Sequence, residues 1–179
     1  MAHISVSENI PGIRSLAEFR PETGKTLYAL AQVLLRGESP LTPAERELIA
    51  SFVSTGNQCK FCADSHAAAA RALYKEDRDL VSKVLQDASK AHLSPKIKAL
   101  LSIADKVRES GKAVSPELIK QARRAGAGDR DIHDTVLIAA AFCMFNRYVD
   151  GLATWTPTDP KAYEEMGERL ATKGYTLNK

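Results

Sequence analysis

The stretch Glu47-Leu-Ile-Ala-Ser-Phe-Val-Ser-Thr-Gly-Asn-Gln-Cys-Lys-Phe-Cys-Ala-Asp-Ser-His66 decides the reading of this chain. It carries Cys59 and Cys62 in a CxxC, His66 four residues further on, and Glu47 twelve residues before the first cysteine. In its first half Leu48, Ile49, Phe52 and Val53 recur at helical spacing, and Glu47, Ser51 and Ser54 form a polar stripe on the other side. Gly56-Asn57 ends that helix, and a second begins near Cys59 and runs through the alanines Ala67 to Ala70. On this second helix Cys59, Cys62 and His66 stand at i, i+3 and i+7 and share a face. A helix rather than a strand precedes the CxxC, which excludes a thioredoxin-type arrangement. Ala63 follows Cys62, which excludes the CxxCH of haem attachment.

Outward from this pair the chain continues as helix. Before it, Leu27, Leu30, Ala31 and Leu34 predict a helix from Pro21 to a stop at Gly37. Thr42-Pro43-Ala44-Glu45 predicts a capping box at the start of the Glu47 helix. After it, apolar periodicity predicts helices over Glu76 to Ala88, from Leu93-Ser-Pro to Gly111, and from Ser115 to about Ala125. A long helix is expected from Asp129 or Asp131 to about Ala153, and a charged amphipathic one over Ala162 to Lys173. No alternating strand pattern, hairpin turn, phosphate-binding glycine loop or low-complexity segment is present. The fold class is all-α. The expected organisation is a single domain over 1–179: a lead-in at 1–20, a helical core at 21–155 and a C-terminal helix segment at 156–179.

Composition narrows the function. Of 179 residues 44% are hydrophobic and 26% charged, as in a soluble globular chain. A net charge of +3, with acids interleaved among the bases, argues against a nucleic-acid partner. The apolar run Val136 to Phe145 is far shorter than the roughly 20 residues of a membrane span. Met1 to Asn9 has neither the basic start nor the apolar stretch of a signal peptide. Three cysteines do not make a secreted disulfide framework, so a cytoplasmic location is expected. In such a reducing compartment a CxxC is more often catalytic or metal-binding than structural.

Thiolate is the attacking form of cysteine, and at a pKa of about 8.5 only about 3% is thiolate at pH 7. A helix N-terminus favours the anion by roughly 0.3–1 kcal/mol, too little for a useful shift alone. His66, one turn past Cys62, can take the thiol proton or pair with the thiolate. If one sulfur is oxidised to sulfenic acid, the other is near enough to condense with it. A structural zinc site would need four ligands, and neither Glu47 nor Cys143 has the usual spacing to complete Cys59, Cys62 and His66. The plainer alternatives are two buried cysteines beside a helical histidine, and for Glu47 a solvated helix position. Cys143, amid Ala139 to Phe145, is expected to be a core thiol. Asn146 and Asp150, at i and i+4 on the long helix with His133 and Arg147, are expected to form a buried structural polar network or a subunit contact.

Glu47, eleven intervening residues, then Cys59-x-x-Cys62-x-x-x-His66 resembles the active-site pattern of the alkyl hydroperoxidase D family, within the carboxymuconolactone decarboxylase superfamily. Arg20-Pro-Glu-Thr, Leu35-Arg-Gly, Pro40-Leu-Thr-Pro-Ala-Glu-Arg-Glu-Leu-Ile, Ile132-His-Asp and Phe145-Asn-Arg-Tyr-Val-Asp-Gly-Leu resemble its peroxidase-related branch, from about Gly12 to Leu152. The resemblance implies the family's helical fold, with the CxxC at the N-terminus of a central helix. It also implies a metal-free and cofactor-free thiol peroxidase and a homo-oligomer. Cys62 would be the peroxidatic thiol, Cys59 the resolving one, and His66 the proton acceptor. Glu47 would complete the relay through a water or Cys59. The substrate would be a small peroxide and the reductant an external dithiol. Best-known members have histidine just before the second cysteine; here Phe61 stands there and is expected to make the rim of the site apolar. A decarboxylase or lyase of the same superfamily, and a non-catalytic redox or zinc module, are the alternatives.

Overall fold

The computed structural model describes residues 1–176, and among these it contains nine α-helices, two short 3-10 turns and no strand. The helices are α1 (Ile13–Phe19), α2 (Pro21–Arg36), α3 (Pro43–Gly56), α4 (Lys60–Tyr74), α5 (Arg78–Asp87), α6 (Pro95–Glu109), α7 (Pro116–Arg124), α8 (Asp129–Gly151) and α9 (Pro160–Lys173). The all-α class and the helix order follow the sequence pattern. The last three residues of the expected C-terminal segment lie outside the described residues.

Side-chain chemistry sets most of the helix starts. Thr42 and Glu45 form the expected capping box on α3, with Pro43 in the first turn. Ser94 and Ser115 cap α6 and α7 by accepting the backbone N–H of Ile97 and Leu118, each serine followed by proline. Asp159 caps α9, which places its start at Pro160, two residues before the expected Ala162. Neither Asp129 nor Asp131 occupies the N-cap of α8. Gly128 holds that position, and Asp131 serves from the first turn by accepting the Gly128 N–H at 2.9 Å.

α3 and α4 pack against each other along their length, and α9 covers the other side of α4. α8 lies across α3 and α6. The core between them draws on Leu48, Ile49, Val53, Leu100, Leu101, Ile103, Ile138 and Phe142. The Ala67 to Ala70 run lets a second backbone approach α4. At Gly167 of α9 an added Cβ would stand 2.6 Å from the Ala68 carbonyl carbon. A second, smaller cluster joins Cys59, Phe61, Cys62, Ala68, Val149 and Tyr163 where α4, α8 and α9 meet. No helix among the described residues is long and apolar enough to cross a membrane.

Two arginines close the C-terminal end of α2. Arg46 is buried and donates to the carbonyls of Leu34 and Gly37 at 3.0 and 2.8 Å, where the helix dipole favours a cation. Arg36, the last residue of α2, turns inward toward α3. After α9 the chain reverses at Gly174 (φ 65°), and the Tyr175 N–H donates to Gln32 Oε1 of α2 at 2.7 Å. That turn sends the Tyr175 ring into the interior, with 7% of the residue left exposed.

Candidate active site

The turn between α3 and α4 sets the cysteines. Gln58 takes a left-handed conformation (φ 60°), and the Cys59 N–H donates to the Ser54 carbonyl at 3.0 Å. Cys59 is therefore the N-cap of α4, with an extended ψ of 92°, and Cys62 is the third helical residue. This corrects the expectation of a shared helical face. Cys62 and His66 line one cavity, while Cys59, lying before the first helical residue, does not. Both cysteines are buried and reduced. Cys62 lies in the first turn, where unpaired N–H groups and the helix dipole favour an anion. The Cys59 thiol is pushed far above the ordinary cysteine range, first by its hydrogen bond to Cys62, then by burial, with the Asp150 carboxylate adding to both.

The polar stripe of α3 faces this turn from within the molecule. Glu47, Ser51 and Ser54 are all completely buried, so the reading of Glu47 as a solvated position is excluded. Ser51 donates to the Ala63 carbonyl at 3.1 Å and fixes the α3–α4 spacing. Ser54 Oγ accepts the Asn146 side-chain N–H at 3.0 Å, and Asn146 Oδ1 accepts from Asn57 at 2.9 Å. Asn146 is therefore the buried polar tie between α8 and the turn before the CxxC, as expected. Asp150 is not part of it; it is solvent-exposed, as are His133 and Arg147. Cys143 is half-buried and lies 3.5 Å from the Asn57 amide nitrogen, rather than sealed in the core.

Glu47 is the centre of the charged network. Its Oε2 lies 2.7 Å from His66 Nδ1; its Oε1 accepts from Arg36 at 2.6 Å and from the Tyr175 hydroxyl at 2.7 Å. Burial works to raise its pKa. The His66 contact opposes this most strongly, Arg36 and Tyr175 add to it, and the net effect holds Glu47 below the ordinary glutamate value. Glu47 is a carboxylate, so the hydrogen on His66 Nδ1 points at it. The Tyr175 oxygen, 3.1 Å from the same nitrogen, faces it as a second acceptor. In the neutral imidazole Nε2 is then the basic nitrogen. The ring cannot easily turn: Phe142 meets it edge-on at 4.5 Å and Tyr175 is stacked at 5.9 Å. Glu47 thus contacts His66 directly, where the resemblance implied a relay through water or Cys59.

Arg36 and Tyr175 were not assigned roles on sequence grounds. Arg36 ends a helix just before Gly37, where a basic residue ordinarily serves the carbonyls and the dipole. Its Nη1 does reach the Leu35 carbonyl, while Nη2 crosses to Glu47. Tyr175 follows a helix-ending glycine, the local signal that the chain turns back onto the protein. Burial raises the Tyr175 pKa well above its usual value, and the adjacent Glu47 carboxylate raises it further. It remains a phenol and can donate.

The cavity beside Cys62 has a volume of about 60 Å³. Its apolar walls come from α2, α4, α8 and α9, with Leu27, Phe61, Phe142, Phe145, Met166 and Leu170 among them. Phe61 forms an inner wall rather than an apolar rim: it is 4% exposed and packs under Gly12. Gly12 (φ 55°) has no room for a Cβ against that ring, and its N–H donates to the Trp155 carbonyl at 2.9 Å. Among the described residues no group of three or more His, Cys, Asp or Glu side chains is arranged to hold a metal ion.

A helical fold with a CxxC opening one helix and a buried glutamate–histidine pair beside it defines the class of protein. Residues 21–106 match the carboxymuconolactone decarboxylase family model. A peroxidase-related protein of the alkylhydroperoxidase core type from Ralstonia eutropha JMP134 shares the fold with a TM-score of 0.77 and 26% identity, over 89% of this chain and 82% of that one. A peroxidase-related protein from Silicibacter sp. TM1040 gives a TM-score of 0.77 and 28% identity, over 87% of this chain and 79% of that one. A protein of unknown function from Agrobacterium tumefaciens, 20% identical, shares the fold with a TM-score of 0.70 over 89% of this chain and all of its own. No curated protein matches the chain at a significant level. The chain thus has the alkyl hydroperoxidase D-like helical fold and is similar over residues 21–106 to the carboxymuconolactone decarboxylase family.

Proposed function

We propose that the protein is a thiol-dependent hydroperoxidase. The observation that carries this reading is the placement of Cys62 beside His66 on an apolar cavity, with the Nδ1–H of His66 fixed by the buried Glu47 carboxylate. Fixing Nδ1–H leaves Nε2 to take the Cys62 proton. The thiolate attacks the distal peroxide oxygen and the O–O bond breaks. Cys62 becomes a sulfenic acid, and the alkoxide leaves as an alcohol with the proton returned from His66. The Cys59 sulfur then attacks the Cys62 sulfur, releasing water and forming a Cys59–Cys62 disulfide. An external dithiol reduces that disulfide and is itself oxidised, and the cycle closes with two electrons in and two out.

Arg36 and Tyr175 act through Glu47 and are positioning residues. The similarity to the Ralstonia eutropha peroxidase-related protein, which is of the alkylhydroperoxidase core type, supports the reading. A decarboxylase or lyase would leave the thiol pair without a task. A second copy of the chain is proposed to cover α8, where Leu137 and Met144 stand 40% and 44% exposed on one outward stripe. A reducing compartment such as the cytoplasm is the proposed setting, because the cycle draws on dithiols.

Stopped-flow loss of an organic hydroperoxide in the presence of dithiothreitol is the test. Wild-type protein is expected to consume peroxide catalytically and the Cys62→Ser variant only at the background rate. Equal rates for the two proteins would remove Cys62 from the mechanism.

A further inference from the structure

The cavity has a charged edge that the peroxidase chemistry does not use. Arg14 of α1 and Arg169 of α9 line it together with Tyr28 of α2, on the same wall system as Cys62. Arg14 is exposed, Arg169 is partly exposed and Tyr28 is buried to within 8%. These three residues come from three separate helices, so the tertiary fold and not one helical face brings them together. Both guanidinium groups lie close enough to the Tyr28 phenol to oppose the rise in its pKa that burial causes, with exposed Glu18 acting the other way. Other basic groups nearby are paired: Arg36 with Glu47, Lys60 with Asp64 and Arg78 with Glu168. Among the described residues no carboxylate lies within 4.0 Å of Arg14 or Arg169.

Two guanidinium groups without carboxylate partners and a phenol, at the edge of an apolar cavity, form the complement of a molecule with an apolar body and an anionic end. Arginine suits a carboxylate in particular, because its planar fork can donate two parallel hydrogen bonds to the two oxygens. We propose that the cavity takes an amphipathic molecule bearing a carboxylate, seated on Arg14, Arg169 and Tyr28 with its apolar body directed toward Cys62. Combined with the peroxidase reading, on which this part rests, the substrate class is a short-chain organic hydroperoxide bearing a carboxylate, of a size that a cavity of about 60 Å³ allows. The carboxylate anchors the molecule at the edge and takes no part in the bond changes.

Binding separates this proposal from the peroxidase reading. Titration calorimetry on wild-type protein would compare hexanoic acid with its methyl ester, which has the same apolar body and no charge. The acid is expected to bind at least about tenfold more tightly, as one or two charge-assisted hydrogen bonds supply. Arg14→Gln combined with Arg169→Gln lies at the surface and is expected to bring acid and ester to the same affinity. Tyr28→Phe, which keeps the ring in the core, is expected to remove part of the preference. Equal binding of acid and ester by the wild type, no binding of either, or a preference untouched in the double variant would overturn the proposal. Consumption of 6-hydroperoxyhexanoic acid against its methyl ester is then measured with Cys62→Ser as control. A preference for the acid that needs both Cys62 and the arginines supports the substrate class. Acid binding without Cys62-dependent turnover overturns the hydroperoxide assignment while leaving the carboxylate seat standing.

Discussion

Replacing Tyr175 with phenylalanine tests the buried network at its outermost member. The ring stays, and a single hydroxyl that donates to Glu47 Oε1 at 2.7 Å is lost. A hydrogen bond to a buried charged group contributes roughly 1.5–3 kcal/mol. At about 2–4 °C per kcal/mol for a chain of this size, a loss of about 2 kcal/mol lowers Tm by about 4–8 °C. The same loss raises the Glu47 pKa in the folded protein, because one of the hydrogen bonds that favour its carboxylate form is removed. That gives the variant a pH signature that simple loss of packing would not have. At neutral pH Glu47 is ionised and the full gap between wild type and Tyr175→Phe is expected. As pH falls below the glutamate value of 4.5 and Glu47 begins to take up a proton, the gap narrows. Calorimetric scans of both proteins between pH 7 and pH 3.5 measure it. A gap of under 1 °C at pH 7, or one that does not change with pH, would refute the network as described.

Glu47→Gln removes the charge and leaves the largely buried Arg36 without its counterion, at a cost of about 3 kcal/mol at neutral pH by urea unfolding. Because the folded-state pKa of Glu47 is lowered, its contribution is present above 4.5 and is lost as pH falls through the folded value. The wild type should therefore lose stability across that window, and the variant should lose less. Gly12→Ala combines a left-handed backbone with a methyl group driven into the Phe61 ring, and about 1–3 kcal/mol of destabilisation is expected in the urea midpoint. Gly167→Ala is expected to push α9 off α4 at Ala68 at a similar cost, visible as faster amide exchange in α9. Cys59→Ser is expected to reduce one equivalent of peroxide and then stall, since no resolving thiol remains; sustained turnover with dithiothreitol at the wild-type rate would contradict the resolving role.

The helices were legible because each carries its own signals. Capping residues followed by proline start α3, α6 and α7, Gly37 ends α2, and apolar periodicity runs between. The approach of Glu47 to His66 was visible as a polar stripe on an otherwise apolar helix. Its completeness was not, because spacing cannot tell a buried stripe from a solvated one. What removed it from water was the packing of α4, α8 and the tail around α3. The relation of the two cysteines was misread for a local reason. Helical spacing was applied from Cys59, but Gln58 and the Ser54 carbonyl hold that residue in an extended conformation ahead of the helix. Arg36 and Tyr175 stand 11 and 128 residues from Glu47, and no periodic pattern joins positions so far apart. Phe61 was expected on the rim because it stands where the best-known family members carry a histidine, whereas Gly12 opens a space into which the ring is buried. Arg14, Tyr28 and Arg169 were silent in the same way, being ordinary residues of three helices until the fold brings them to one edge.

The most direct test of the central claim, that Cys62 is the sulfur that attacks, is to trap the sulfenic acid in the Cys59→Ser variant. One equivalent of hydroperoxide is added in the presence of dimedone, and the labelled residue is located by peptide mass spectrometry. A single adduct on Cys62 is the predicted result. An adduct on Cys143 with Cys62 unmodified, or Cys62 remaining a free thiol after the peroxide is consumed, would contradict the account.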